Sequence, residues 1–100
     1  MIEYELVISP EADLQIRETA LSYDDRQIDL GFDFLLMVEK ALKDIMEAPL
    51  MYPVYYRHFR KRNVKRFPYI LIYEVKDHNI KVLVLLHHSQ DIDRILSKLP

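Results

Sequence analysis

Hydrophobic side chains occupy every second position near the start of the chain and then recur with helical spacing. The segment 2–8 has the two-residue period of a half-buried strand. Ser9 followed by Pro10 is typical of a helix N-cap and first helical position, and Glu11 suits the positive end of the helix dipole. The pattern therefore predicts a strand at 2–8 and a helix from Pro10 to about Tyr23.

A second helix is predicted after a polar break. Asp29 is its predicted N-cap, and Pro49 ends it because proline lacks the N–H that the helix would need. Its apolar positions share one helical face and are Phe34, Val38, Ala41, Leu42 and Ile45, with Leu35 beside them. Gly31 falls in the first turn, where close packing against the first helix would account for the absent side chain. We therefore predict a helical hairpin.

The second half of the chain has the pattern of strands. Residues 55–66 are rich in aromatic and basic side chains without a helical period, and residues 69–75 form a clearer strand. A turn is predicted at 77–79, followed by a strand at 80–86. Residues 82–86 are five consecutive apolar residues, which indicates a central strand that is buried on both faces.

A short helix is predicted after the last strand, with Ser89 or Asp91 as its cap. Its apolar stripe consists of Ile92, Ile95, Leu96 and Leu99. The order β-α-α-β-β-β-α indicates an α+β fold, in which the helical hairpin packs on one face of an antiparallel sheet and the other face stays partly open. Residues 1–100 are interpreted as one domain, because this length suffices for one core and contains no linker.

The composition excludes several classes of protein. The chain has no cysteine, which rules out disulfides, thiolate metal sites and a cysteine nucleophile. The longest apolar runs have five residues, too few to span a membrane, and Glu3 and Glu5 are unlike the start of a signal peptide. We therefore expect a cytoplasmic protein without membrane contact.

Charge is divided unevenly along the chain, although the net charge is only −2. Residues 1–50 hold twelve acidic and four basic side chains, whereas residues 51–100 hold four acidic and ten basic ones. This asymmetry favours an anionic partner for the second half. The alternative is that the two halves neutralise each other across the fold.

The basic residues are concentrated in one segment and interleaved with aromatic rings. The basic members are Arg57, Arg60, Lys61, Arg62, Lys65 and Arg66, and the aromatic ones are Tyr55, Tyr56, Phe59 and Phe67. Cations that bind phosphate and rings that stack on bases are what a nucleic-acid site needs, but an acidic protein segment would fit equally well. Charges on such a strand also deter edge-to-edge pairing. The predicted partner-binding residues are Arg57, Arg60, Lys61, Arg62, Arg66 and Tyr56.

Two histidines are the candidates for proton transfer. His87 and His88 are adjacent on a strand, so their side chains should point to opposite faces and are poorly placed to share a metal. Either of them could act as an acid or base near neutral pH, or simply pack at the end of the sheet. The chain has no glycine-rich phosphate loop and no His-Glu-x-x-His motif, and we expect neither a metal nor a cofactor.

Motifs spread over residues 2–91 combine into a recognisable pattern. They are Ala12-Asp13-Leu14, Leu30-Gly31-x-x-Phe34, Arg66-Phe67-Pro68-Tyr69-x-x-x-Tyr73 and Val84-Leu85-Leu86-His87. Together they resemble the RelE/ParE superfamily of type II toxin–antitoxin toxins, and most closely its ParE-like plasmid stabilisation branch. The resemblance implies a small α+β bacterial toxin that inhibits growth and is neutralised by a cognate antitoxin, with DNA gyrase as the possible target of the ParE-like branch.

Two alternatives stay open within this resemblance. RelE-like members cleave mRNA on the ribosome, and here arginines of the cationic segment would bind phosphate while His87 or His88 transfers a proton. A degenerate, non-toxic binding module with the same fold is the other alternative. It is suggested by the segment 88–91, where ParE-like chains usually continue through an Arg-Arg-Asp-Pro-like turn and this chain retains only Asp91.

Overall fold

Helices and strands follow one another in nearly the predicted order. The computed structural model describes residues 3–99, so Ile2 of the first predicted strand lies outside the described residues. The elements are β1 (Glu5–Ile8), α1 (Pro10–Arg26), α2 (Leu30–Glu47), β2 (Val54–Tyr56), β3 (Phe59–Val64), β4 (Tyr69–Lys76), β5 (Asn79–His87) and α3 (Ile92–Leu96). The α+β fold with a helical hairpin on one face of a sheet is confirmed.

The start of α1 follows the predicted capping pattern. The hydroxyl of Ser9 accepts a 3.0 Å hydrogen bond from the Ala12 N–H, and Pro10 occupies the first turn. The same hydroxyl donates a 2.7 Å bond to the carbonyl of Leu83, which ties the helix start to β5. The buried residues of α1 are Ala12, Ile16 and Ala20, and those of α2 are Gly31, Phe34, Val38, Ala41 and Ile45.

Gly31 allows the two helices to approach each other closely. A β-carbon at this position would clash with the backbone oxygen of Ala20 and with the carboxylate of Asp24. The Gly31 N–H donates a 2.8 Å hydrogen bond to Asp24 Oδ1. This bond caps the N-terminus of α2, a role that was predicted for Asp29. Asp29 lies at the N-cap with a φ of 67° but makes no side-chain capping bond. The predicted close packing of the hairpin is confirmed, and its cap comes from α1.

The five strands form one mixed sheet in the order β1-β5-β4-β3-β2. The prediction of an entirely antiparallel sheet is wrong for β1, which pairs parallel with residues 79–82 of β5. The two helices between β1 and the later strands provide the long connection that parallel pairing requires. The interior position predicted for β5 is confirmed, since it lies between β1 and β4.

The segment 55–66 forms two strands instead of the one predicted. β2 and β3 make a tight hairpin whose turn is Arg57-His58, and Arg57 has a φ of 53°. Non-glycine residues seldom adopt this left-handed conformation, and arginine is not among the residues that usually signal it. The hairpin makes β2 the second edge of the sheet.

A β-bulge in β5 changes which side chains face the helices. Ile72 and Tyr73 of β4 are opposite Val84 and Val82, so Leu83 is an additional residue without a partner of its own. Strict alternation, which would put Leu83 and Leu85 in one row, therefore fails at this point. The helix-facing residues of β5 are Ile80, Val82 and Leu85, and the residues on the opposite side are Val84 and Leu86.

Hydrophobic cores form on both faces of the sheet. The core beneath α1 and α2 includes Phe34, Val64, Phe67, Leu71, Tyr73, Val82 and Leu85. The core on the other face consists of Phe59, Ile70, Ile72, Val84, Leu86 and Leu96, with Ile92, Ile95 and Leu99 packed against it. The second face is thus covered by α3 and is not the partly open surface we predicted. The apolar stripe predicted for the last helix is confirmed, as is Asp91 as its cap.

Within residues 3–99, none of the helices is both long enough and apolar enough to cross a membrane.

Candidate functional site

Alternation along β3 sends its basic side chains to different faces of the sheet. Arg60 and Arg62 are paired with Tyr73 and Leu71, whose side chains belong to the core beneath the helices. Lys61 is paired with Ile72, which belongs to the opposite core. The cationic segment is therefore divided into an inward pair of arginines and an outward group.

Arg60 holds the loop between α2 and β2. Its Nη1 donates hydrogen bonds to the carbonyls of Leu50, at 3.2 Å, and of Tyr52, at 2.6 Å. Tyr73 contributes a further contact, since its hydroxyl donates a 2.6 Å bond to the carbonyl of Pro49. Burial raises the pKa of Tyr73 to about 12, so this hydroxyl stays protonated at neutral pH and serves as a donor. The loop 48–53 is thereby fixed to the sheet.

Arg62 makes an ion pair with Asp44 near the end of α2. The distance from Nη2 to Oδ2 is 2.8 Å, and the guanidinium lies 5.1 Å from the centre of the Tyr52 ring. The hydrogen bond and the positive charge of Arg62 lower the pKa of the Asp44 carboxyl below its usual 3.8. Arg62 and Arg60 are thus engaged in contacts within the chain, although both were predicted to bind a partner.

The Asp44–Arg62 pair should make stability depend on pH. Because the pKa of Asp44 is lower in the folded than in the unfolded chain, its stabilisation is complete above the unfolded pKa near 3.8 and is lost as pH falls through the folded value. We expect Asp44→Asn to lower the free energy of unfolding at pH 7 and to have a shrinking effect below about pH 4. Urea unfolding at a series of pH values measures this, with Arg62→Met and the double variant as controls. The expectation would be contradicted by the same pH dependence of the Asp44→Asn effect in the Arg62→Met background.

The outward cations lie over aromatic rings. The Lys61 Nζ is 4.8 Å from the centre of the Tyr55 ring, and the Arg57 guanidinium is 5.3 Å from that of Tyr56. Arg66, in the turn before β4 with a φ of 71°, lies 6.0 Å from the Phe67 ring. These contacts hold the charges at the surface while leaving them in solvent. Arg57, Lys61 and Arg66 are accordingly the predicted site residues that this geometry leaves to face a partner, whereas Tyr56 is half-buried against the core on the second face of the sheet.

An exposed apolar ledge runs beside these cations. Its members are Met46, Leu50, Met51, Val54 and Tyr55, and between 39% and 69% of each is exposed. They extend from the end of α2 through the fixed loop to the edge strand β2. This ledge was not predicted from the sequence. The one pattern that indicates it is the presence of apolar residues next to Pro49 and Pro53, in a segment that the prolines exclude from a helix.

Three of the four histidines take part in separate local contacts. His58 Nε2 is 2.7 Å from Glu74 Oε2, and the His78 ring packs edge-on to that of Tyr4. His87 Nδ1 accepts a 3.0 Å hydrogen bond from the Ser89 N–H. β4 lies between the strand of His87 and the cationic β3, whereas Arg66, in the turn before β4, lies at the same end of the sheet as His87 and His88. His88 is exposed just beyond the strand.

Among residues 3–99, no three His, Asp or Glu side chains are grouped so that they could hold a metal ion.

Sequence comparison places this fold and surface in a known family. Residues 6–92 match the family described as ParE toxin of the type II toxin–antitoxin system parDE. The chain belongs to the ParE toxin family. The match extends from β1 into α3, so the hairpin of helices, the cationic strand and the ledge of this ParE family chain all lie within it. The resemblance inferred from the sequence motifs is confirmed, and the family is one of type II toxins.

A solved structure shares the fold of this ParE family chain. It is the chromosomal ParDE TA system from P. aeruginosa, matched with a TM-score of 0.76 over 85% of this chain and 96% of that chain. The sequence identity is 13%, so the likeness concerns the fold. No curated protein shows a significant match to this chain.

Proposed function

We propose that this chain inhibits growth by acting on DNA gyrase in the bacterial cytoplasm and is held inactive by a cognate antitoxin. The observation that carries the proposal is the match of residues 6–92 to the ParE toxins of type II toxin–antitoxin systems. The shared fold with a chain of a ParDE system supports it. A growth inhibitor of this kind acts by binding, which suits a chain in which three of the four histidines are engaged in separate local contacts.

The ledge and its flanking cations are the proposed docking surface for the antitoxin. Exposed methionine, leucine and valine side chains offer apolar area, and methionine adapts readily to a partner's shape. Lys61, whose ammonium lies over the Tyr55 ring of the ledge, and Arg57, directly after β2, bring positive charge to this area. The matching partner segment carries apolar residues between acidic ones, so that apolar burial supplies affinity and charge speeds association. Arg60 and Arg62 contribute by holding the loop that presents Leu50 and Met51.

A gyrase assay tests this function. The purified chain is expected to inhibit supercoiling by DNA gyrase and to lose this inhibition once it is saturated with its antitoxin. It is also expected to leave free RNA intact without added metal. Growth arrest on induction, relieved by co-expression of the antitoxin, is the matching result in cells. Ribosome-dependent cleavage of mRNA without an effect on gyrase would transfer the chain to the RelE-like alternative, and absence of both effects would favour the non-toxic binding module.

A pair of surface variants locates the antitoxin in the same assay. Met51→Asp introduces a charge on the ledge and should weaken antitoxin affinity about tenfold, so that more antitoxin is needed to restore supercoiling. Ile28→Asp is the matched control, because Ile28 is 85% exposed and lies before α2, away from the ledge in sequence. Equal effects of the two substitutions would argue against the ledge as the docking surface.

A further inference from the structure

The last five residues of β5 have no strand beside them on the side of β1. β1 pairs with residues 79–82 and then turns into α1 at Ser9, whereas β5 continues to His87. In the β4–β5 ladder, the N–H groups of Leu85 and His87 point away from β4, toward this open side. An interior strand therefore has an unpaired edge over residues 83–87, and its backbone groups need other partners there.

Two glutamine side chains supply those partners. The Leu85 N–H donates to Gln15 Oε1 at 2.9 Å, and the His87 N–H donates to Gln90 Oε1 at 2.7 Å. A glutamine carboxamide oxygen is chemically equivalent to a peptide carbonyl. Two such oxygens on alternate residues of one edge reproduce the acceptors that a neighbouring strand would present. The side chains thus occupy the place of a strand that this chain does not provide.

The space along this edge is an open groove between β5 and α1. It has a volume of about 330 Å³ and is lined by Gln15, Glu18, Thr19, Ser22, Tyr69, Leu85, His87 and Gln90. Its lining contains no lysine or arginine and includes the carboxylate of Glu18, which disfavours a polyanion such as RNA. Hydroxyl, amide and apolar groups are instead suited to an extended peptide, whose backbone bonds to the edge while its side chains alternate between the groove and solvent.

We propose that an extended segment of the antitoxin adds to β5 at residues 83–87 and displaces the side chains of Gln15 and Gln90. This inference rests on the proposed function for the identity of the partner. The carbonyls of the added strand take over the hydrogen bonds of Leu85 and His87, and the glutamines move out to solvent at the cost of those bonds. The segment carries neutral or basic residues, because an acidic side chain would meet Glu18.

The displacement makes an unusual prediction about the glutamines. In the double variant Gln15→Ala/Gln90→Ala, the free chain loses the bonds that compete with the incoming strand, whereas the complex loses nothing. Titration calorimetry with the purified antitoxin is therefore expected to show affinity that is tighter by about fivefold to hundredfold, the range that corresponds to two net hydrogen bonds. Gln27→Ala, at an exposed position after α1, is the matched control and should leave the affinity unchanged. Weaker or unaltered binding by the double variant would overturn the proposal. Weaker binding would mean that the glutamines contact the antitoxin, and unaltered binding would mean that they take no part in binding it.

Amide hydrogen exchange provides a second and independent measurement. In the unmodified chain, exchange at Leu85 and His87 should slow at least tenfold when the antitoxin is bound, with little change at Ile80, which β1 already covers. If the complex forms and these two amides exchange as before, strand addition is wrong while the proposed function stands. If no complex forms, both the proposed neutralisation by an antitoxin and the strand addition to β5 are wrong. Slow exchange that appears in the free chain as its concentration rises would identify a second copy as the occupant and overturn the assignment to the antitoxin.

Discussion

Leu85→Asp is expected to leave most of the protein unfolded at room temperature. Leu85 is 4% exposed and packs in the core beneath the helices, where an aspartate would be buried without a positive partner. Loss of the apolar contacts together with burial of a charge should cost about 5 kcal/mol or more. That is comparable to the whole stability of many small domains, which is about 5–15 kcal/mol. Circular dichroism and urea unfolding would show the loss.

Val7→Asp is the matched control for this experiment. It makes the same kind of substitution on the neighbouring strand, at a residue that is 60% exposed, and should change stability by about 0.5 kcal/mol. A Leu85→Asp variant that is soluble and melts cooperatively at the original temperature would show that β5 does not lie in the core.

Gly31→Ala should destabilise the protein by about 3 kcal/mol, although alanine is the better helix former. At an exposed helical position, the same change stabilises by up to about 1 kcal/mol. Here the added methyl group would meet the backbone oxygen of Ala20, which has no rotamer to escape into, so the helices must separate. The separation would also stretch the bond between the Gly31 N–H and Asp24. Thermal and urea unfolding of the purified variant measure the effect.

A control for Gly31→Ala comes from the same helix. Lys40→Ala introduces alanine at an exposed position of α2 and should alter the free energy of unfolding by less than about 0.5 kcal/mol. An increase in stability for Gly31→Ala would mean that the two helices do not touch at this point.

Helices were predictable from the sequence because their signals are local. The Ser9-Pro10 cap, the spacing of apolar residues in α2 and the terminating Pro49 act within a few residues, and the structure confirms each of them. The exception is the cap of α2, which comes from Asp24 across the hairpin instead of from Asp29. A side chain seven residues away becomes the cap only when the two helices pack against each other. A local sequence pattern carries no information about that packing.

Strands were predictable in position but not in pairing. The pattern of β4 and β5 located both strands to within one residue, yet it held no information on the parallel partner of β5. The β2–β3 turn was missed because Arg57 adopts a left-handed conformation that glycine or asparagine usually signals. The bulge at Leu83 was missed because five consecutive apolar residues look the same on either face. In each case a tertiary contact decides between local conformations of similar energy.

Charge and aromatic content located the strand that carries the cations, but not the separate contacts that its residues make. The six basic side chains within residues 57–66 cannot be told apart by sequence alone. In the structure, the pleat of β3 turns Arg60 and Arg62 toward the loop 48–53. Only a structure distinguishes those arginines from Lys61 on the other face. The ledge beside them was overlooked because its members come from a helix end, a loop and an edge strand, and become neighbours through the fold.

The pairing of β1 with β5 has a consequence for the newly made chain. Residues 5–9 acquire their partners only after more than seventy further residues, when Val82 and Leu83 have been synthesised. Until then the helical hairpin can form, but its apolar face has no sheet to cover it, and closing so long a loop is slow. Such a nascent chain is a target for chaperones and proteases for most of its synthesis. The fold is therefore completed only after β5 has been synthesised, and a chain interrupted within β4 holds both long helices but lacks the strand against which β1 and the start of α1 are bonded.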